Sequence, residues 1–424
     1  MNRRQFIINA GTMSVMAAMM QVISCKNKRK PHILVVSGWQ DVNIGDIAHT
    51  PGLLHVLEAG FPDATITLWK CSKSEPVEEL LHRNFPKIKI IFGQPNKESY
   101  EKNEDLKRAV EDADIFVHGS GPSVVAAGHL QFWWETTGKP FGIYGTTIEN
   151  ISDQLSTLLQ QASFIFTRET ASIERLRSAG ITGQHIRFAP DATFDLDISD
   201  DAKALDFMRK NNLEEGKFIC VIPRLRKTPY WQIRKKHNYT QEYIEQWTAL
   251  NDKWKEDDHA KARHAIVTWV RNTGMKVVLC PEMTYETGLF DELLYNPLPD
   301  DVKPNVVKHD DYWMPDEAMS LYARMYALLS FECHSPIMAL RRGRPAFYLR
   351  HPQDTIKGQM YYDLGLSDWV FEIEERTGED ISARLMEVYS DYDRANAKIA
   401  SAMKEVADCY AKANGIVRDV LINQ

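Results

Sequence analysis

Cysteine is scarce and unpatterned in this chain. Its 424 residues include six, Cys25, Cys71, Cys220, Cys280, Cys333 and Cys409, with no CxxC pair. That excludes a disulfide framework and the closely spaced thiols of a structural zinc site. Positive charge is not in excess: 51 Lys+Arg stand against 58 Asp+Glu, a formal net charge of -7. A general nucleic-acid binder needs a basic field, so that class is set aside. No stretch after residue 24 is long and apolar enough to span a bilayer, and there is no internal repeat or low-complexity tract. What is present is ordinary for a folded protein: 44% hydrophobic and 26% charged residues, at a length suited to two or three domains. The ten tryptophans raise the question of sugar-stacking faces.

The first 30 residues form a separate block. Arg3 and Arg4 precede Gln5-Phe6-Ile7, and residues 5–24 carry no charge. Val22-Ile23-Ser24-Cys25 follows, then the basic run from Lys26. A basic start, an apolar stretch and a small residue before a cut is the export-signal pattern. The paired arginines resemble a twin-arginine signal, and the last four residues resemble a lipobox with Cys25 as the lipidated residue. The expectation is an exported periplasmic or cell-envelope lipoprotein, held to the membrane by its lipid. An uncleaved N-terminal helix as anchor is the alternative. Two arginines and no acid precede Cys25, so the chain from there on carries −9.

Beyond that block, short apolar runs rich in Val, Ile and Phe alternate with amphipathic segments. Strands are predicted at 32–37, 65–69, 88–92, 115–118, 141–144, 164–167 and 186–189. A second series falls at 218–222, 276–280, 305–307, 327–331, 346–349 and 370–373. Helices lie between, including a long one over 241–272. The strands are continuously apolar, as in sheets buried on both faces, and strand–helix alternation makes those sheets parallel. A polar stretch, 195–216, breaks the rhythm. The fold class is therefore α/β, with two Rossmann-like lobes and a cleft between them. The first lobe takes residues 31–200, the second 201–380, and one or two terminal helices 381–424.

In such sheets ligands bind beyond the carboxyl ends of the strands. In the first half those positions hold Asn43, Gly45, Asp46, Gly119, Gly121, Arg168 and Asp191. In the second they hold Arg224, Arg226, Glu282, His309, Glu332, His334, Ser335 and Arg350. Glycines and acids there also cap helices, so the set carries more weight than any member.

This series resembles the polysaccharide pyruvyl transferase family. Asn43-Ile44-Gly45-Asp46 is similar to the family's N-x-G-D opening. Residues 114–121 resemble its strand leading into a Gly-rich turn. Arg168-Glu169, with Ser172, Leu176 and Gly180, resembles its R-[DE]-x-x-S…L…G segment, and Ala189-Pro190-Asp191-Ala192 its acidic element. Residues 330–345 resemble its R-x-H-[SA] motif, and Lys357 and Leu364-Gly365-Leu366 also fit. The resemblance covers about residues 32–370. It implies a GT-B-like frame and transfer of a pyruvyl group from phosphoenolpyruvate, the donor substrate, to a glycan hydroxyl, with no cofactor. Where the family has Arg two residues before its His, this chain has Glu332, which departs from the donor site that the resemblance implies.

His334 is the leading candidate for proton transfer, because an unperturbed imidazole titrates near neutrality. If the chain between them is extended, Glu332 lies on the same side and orients the ring; the other reading is a polar pair capping a helix at Ser335. Asp46 is a base or a helix N-cap. His118 reads as structural, and His309-Asp310-Asp311 is too unspecific to count as a metal site, so none is expected. The segment 216–241 has no acid but carries Arg224, Arg226, Lys227, Arg234, Lys235 and Lys236, with Tyr230, Trp231 and Tyr239. Guanidinium forks and aromatic faces there predict a polysaccharide or oligosaccharide partner, anionic ones favoured, and no nucleic acid.

Overall fold

Thirteen strands in two all-parallel sheets carry the chain in the computed structural model, which describes residues 29–234 and 237–423. The expected export signal, with Cys25 as its expected lipidation site, and the pair Lys235 and Lys236 lie outside the described residues. The first sheet comprises β1 (His32–Ser37), β2 (Thr65–Lys70), β3 (Lys89–Ile91), β4 (Ile115–His118), β5 (Phe141–Thr146), β6 (Phe164–Thr167) and β7 (Ile186–Phe188). Its order is β3-β2-β1-β4-β5-β6-β7. The second comprises β8 (Phe218–Ile222), β9 (Lys276–Leu279), β10 (Val306–Lys308), β11 (Ala327–Ser330), β12 (Ala346–Arg350) and β13 (Val370–Glu372), in the order β10-β9-β8-β11-β12-β13.

The two-lobed reading is thus confirmed, and its physical basis is visible in the central strands. Every residue of β8, and Ile33 through Val36 in β1, is fully buried. Side chains on both faces of such strands need helices above and below the sheet. Each sheet reverses its strand order once at its middle, between β1 and β4 and between β8 and β11, and both reversals open a crevice at the carboxyl ends.

Six helices matter for the site. These are α1 (Ile44–Gly60), α2 (Tyr230–Ile233), α3 (Gln241–Thr273), α4 (His334–Arg341), α5 (Gly378–Ser390) and α6 (Tyr392–Ile422). The polar stretch 195–216 is not only a break: it contains a helix, Asp201–Lys210, that buries Ala204 and Met208 four residues apart. The lobes meet through backbone. Ile44 N–H donates to Glu282 O at 2.9 Å, and Thr284 N–H to Val42 O at 3.1 Å. Helix α5 lies on α3, where His264 Nδ1 meets Ser382 Oγ at 2.7 Å. Helix α6 returns to the first lobe, where Tyr410 O–H donates to Asp191 O at 2.7 Å and Asn414 Nδ2 to Val56 O at 3.0 Å. Among the described residues no helix is long and apolar enough to cross a membrane.

Candidate active site

The site starts with one face of α1. Asn43 Oδ1 accepts from the N–H groups of Gly45 (2.7 Å) and Asp46 (3.1 Å), so Asn43, and not Asp46, is the N-cap. Gly45, His49 and Gly52 fall at i, i+4 and i+7, which puts them on one side of the helix. A Cβ at Gly45 would overlap His334 Cβ and Nδ1, and a Cβ at Gly52 would overlap Ala192 O. The two glycines let α1 close onto the second lobe at one end and onto the turn after β7 at the other. His49, between them, is delivered to both.

Around His49 the side chains of both lobes converge. His49 Nε2 lies 3.0 Å from His334 Nε2 and 3.2 Å from Asp191 Oδ2, while His334 Nε2 lies 4.0 Å from that same oxygen. His334 Nδ1 is 3.2 Å from Glu282 Oε1, and Ser335 N–H donates to Glu282 Oε2 at 2.7 Å. Glu282, from the loop after β9, therefore both holds the ring and caps α4. On the first-lobe side Arg168 Nη1 donates to Asp191 Oδ2 at 2.7 Å, and its Nε to Thr147 Oγ1 at 2.7 Å. All of these side chains are buried. Burial opposes the charged form of each carboxylate, but His49 and Arg168 hold Asp191 well below the usual range, and His334 holds Glu282 below it. Burial likewise opposes the imidazolium of His334; Cys333 and Glu282 outweigh it and raise the ring well above its ordinary value.

Glu332 is elsewhere. The chain turns through Cys333 in a helical conformation (φ −94°, ψ −19°) and α4 begins at His334, so the two side chains diverge rather than sharing one side. Glu332 Oε1 lies 3.0 Å from Arg224 Nε, and the other arm of Arg224 pairs with Asp354. Burial pushes the Glu332 carboxyl up to about 7 against the pull of Arg224. Lys357 joins this group: burial works against its charge, and Cys333, Asp354 and Glu332 keep its pKa above the ordinary value. Ser335 is not a capping side chain; its hydroxyl accepts from Tyr322 O–H at 3.2 Å.

The basic segment divides in two. Arg226 turns away from the cleft: Nε and Nη2 grip Asp258 of α3 at 2.7 and 2.8 Å, Nη1 pairs with Glu374, and the guanidinium lies 4.1 Å from the Trp254 ring. Trp231 meets Tyr243 of α3 edge-on at 6.2 Å and also faces that helix. Arg234 crosses between lobes. It stacks on Tyr230 at 4.3 Å and donates to Gln40, which in turn donates to Asp46. In the first lobe, Gly121 lies under Trp39, whose Nε1 donates to Ser120 O at 2.6 Å, and Gly119 packs on Ser37. His118 donates from Nδ1 to Gly119 O (2.7 Å) and accepts from Ala126 N–H (3.1 Å), a structural role. His309 is spent on its own turn, with Nδ1 2.8 Å from Asp311 O.

Of the expected residues, Asn43, Gly45, Asp46, Arg168, Asp191, Arg224, Arg234, Glu332, His334 and Lys357 come to the lobe junction, and Arg226 and Trp231 do not. His49 was missed. Its signal was the helical spacing Gly45–His49–Gly52, a histidine between two residues with no side chain.

No curated protein matches this chain. Solved structures match its fold. UDP-GlcNAc 2-epimerase from Neisseria meningitidis, bound to UDP-GlcNAc, is 14% identical with a TM-score of 0.54, covering 93% of this chain and 100% of that one. Anabaena HepE in complex with UDP and glucose is 10% identical with a TM-score of 0.53, again over 93% and 100%. At such identities the likeness shows the two-lobed, GT-B-like frame alone. Residues 43–352, from the Asn43 cap to just beyond β12, match the polysaccharide pyruvyl transferase family, and the chain belongs to it.

Proposed function

We propose that the protein transfers a pyruvyl group from phosphoenolpyruvate to two hydroxyls of a glycan, forming a ketal. In that reaction both hydroxyl oxygens bond to the enol carbon and its bond to the phosphate oxygen breaks. One hydroxyl proton ends on the methylene carbon, which becomes a methyl, and the other leaves with phosphate. The donor carries a phosphate and a carboxylate, so its seat needs cations at a closed cleft. The observation that carries the reading is the convergence of Arg224, Lys357 and His334 at the reversal point of the second sheet, opposite Gly45 and Arg168 of the first. Glu332, the departure from the family pattern, is engaged by Arg224 instead of standing free. Arg234 and Tyr230, closing over Asp46, suit an acidic acceptor glycan. Residues 3–25 read as an export signal with lipidation at Cys25, and we take the protein to be a cell-envelope lipoprotein, a location that favours the second reading below.

A second reading has its own observation. Arg224 already has two carboxylate partners, Glu332 and Asp354, which suits a frame that has given up the donor and keeps a glycan-binding role or another glycan-modifying reaction. Supplying phosphoenolpyruvate and a glycan panel to the protein separates the two. Phosphate release with a new pyruvate ketal is expected. Release seen only in Glu332→Arg supports the second reading, and absence in both proteins overturns the first.

A further inference from the structure

Three side chains far apart in sequence bring ligand atoms together at one point of the lobe junction. His49 comes from the first helix, Asp191 from the loop after β7, and His334 from the start of α4. We propose that His49 Nε2, Asp191 Oδ2 and His334 Nε2 bind a divalent transition-metal ion.

The three ligand atoms all lie within 4.8 Å of one another. Their separations are 3.0, 3.2 and 4.0 Å. A point equidistant from them is about 2.0 Å from each, the length of a metal–imidazole or metal–carboxylate bond. Hydrogen bonds alone satisfy the cluster poorly. With Nδ1 donating to Glu282, a neutral His334 turns a bare Nε2 toward His49. His49 carries at most one hydrogen on Nε2, which can point squarely at Asp191 or at His334 but not at both. If His334 donates instead, His49 Nε2 and Asp191 Oδ2 face each other at 3.2 Å with no hydrogen between them. A cation satisfies all three atoms together.

The surroundings are those of a ligand set. Glu282 behind His334 gives the carboxylate–imidazole pair that fixes a ligating ring. His49 Nδ1 is buried with no hydrogen-bond partner, with Asp46 Oδ1 3.9 Å away. Arg168 and the N–H of Thr193 hold the two oxygens of Asp191 in place. Two imidazoles and one carboxylate suit zinc, ferrous iron and their neighbours, not calcium or magnesium, and leave coordination positions for water or substrate. The site does not depend on which group the protein transfers.

The test is a titration of untagged, chelator-treated protein with Zn²⁺, Fe²⁺ or Co²⁺, followed by calorimetry, cobalt absorption and the metal-dependent rise in melting temperature. One equivalent is expected, weakened at least about 100-fold in His49→Gln and in Asp191→Asn, and unchanged in His309→Gln. Wild-type protein that binds less than one equivalent of any of these ions overturns the proposal, whether or not the variants fold. Binding equally tight in folded His49→Gln and Asp191→Asn overturns it as well.

Discussion

Gly45 in the first lobe and His334 in the second occupy what would otherwise be the same space: the imidazole lies where a side chain at position 45 would begin. Gly45 sits in the first turn of α1, where Ala would ordinarily gain about 1 kcal/mol of helix propensity. Gly45→Ala is nevertheless expected to destabilise the protein by about 1–3 kcal/mol, because the added carbon must push α1 and α4 apart. The overlap includes His334 Cβ, which alanine would keep, so His334→Gly, and not His334→Ala, should relieve that clash, and the double variant with glycine at 334 should recover much of the loss. Denaturant unfolding of the four proteins measures this; a Gly45→Ala variant as stable as wild type would contradict the contact.

Arg224 stands between two buried carboxylates, and the two ways of disturbing it should differ. Arg224→Met takes from Glu332 and Asp354 the cation that contacts both and leaves only Lys357 nearby, so a loss of about 3–5 kcal/mol is expected. Glu332→Gln leaves Asp354 on Arg224 and should cost no more than about 1–2 kcal/mol. The order of the two unfolding midpoints is the measurement, and equal losses would show that Glu332 and Arg224 are not paired.

Strand positions were legible because buried parallel strands write themselves as unbroken apolar runs. Residues 115–118 and 164–167 were read with the bounds the structure shows. The two lobes and the reversal points followed from the same signal, and with them Gly45, Arg224 and His334 near the cleft. Side-chain direction was not legible. Arg226 follows the same strand as Arg224, but Asp258, 32 residues on in α3, draws it the other way. Glu332 and His334 looked like a pair because extended spacing was assumed where the chain turns. His49 sits inside an apolar helix and gains its meaning from Asp191 and His334, neither of which lies within 140 residues of it.

Arg234 and Arg226 come from one basic segment but should report on different properties. Arg226→Lys loses the fork on Asp258 and the stack on Trp254, so a drop in stability is expected with glycan binding unchanged. Arg234→Glu, alone or with charge reversal at Lys235, should weaken binding of sulfated or uronic-acid oligosaccharides several-fold at low salt, less so when the charges are screened. Calorimetric binding at two ionic strengths, beside thermal melts, checks both. Unchanged binding in the Arg234 variant would remove the acidic-glycan reading.

His118 should make the fold acid-sensitive. Its Nδ1–H donates to Gly119 O, and its Nε2 accepts from Ala126 N–H, so a second ring proton would face a donor. Burial lowers its pKa to about 3, against the Gly119 carbonyl, which by accepting from Nδ1–H raises it. An unfolded histidine titrates near 6.5, so the unfolded chain takes up the proton first as pH falls. The contribution of the neutral ring is therefore complete above about pH 6.5 and declines by about 1.4 kcal/mol per pH unit toward the folded value. At pH 8, His118→Gln should cost about 1–3 kcal/mol through the lost hydrogen bonds. At pH 5 the gap between variant and wild type should narrow by about 2 kcal/mol, because only wild type bears the protonation penalty. Urea unfolding of both proteins at the two pH values gives the comparison, and a gap independent of pH would show that the ring is not held neutral in the fold.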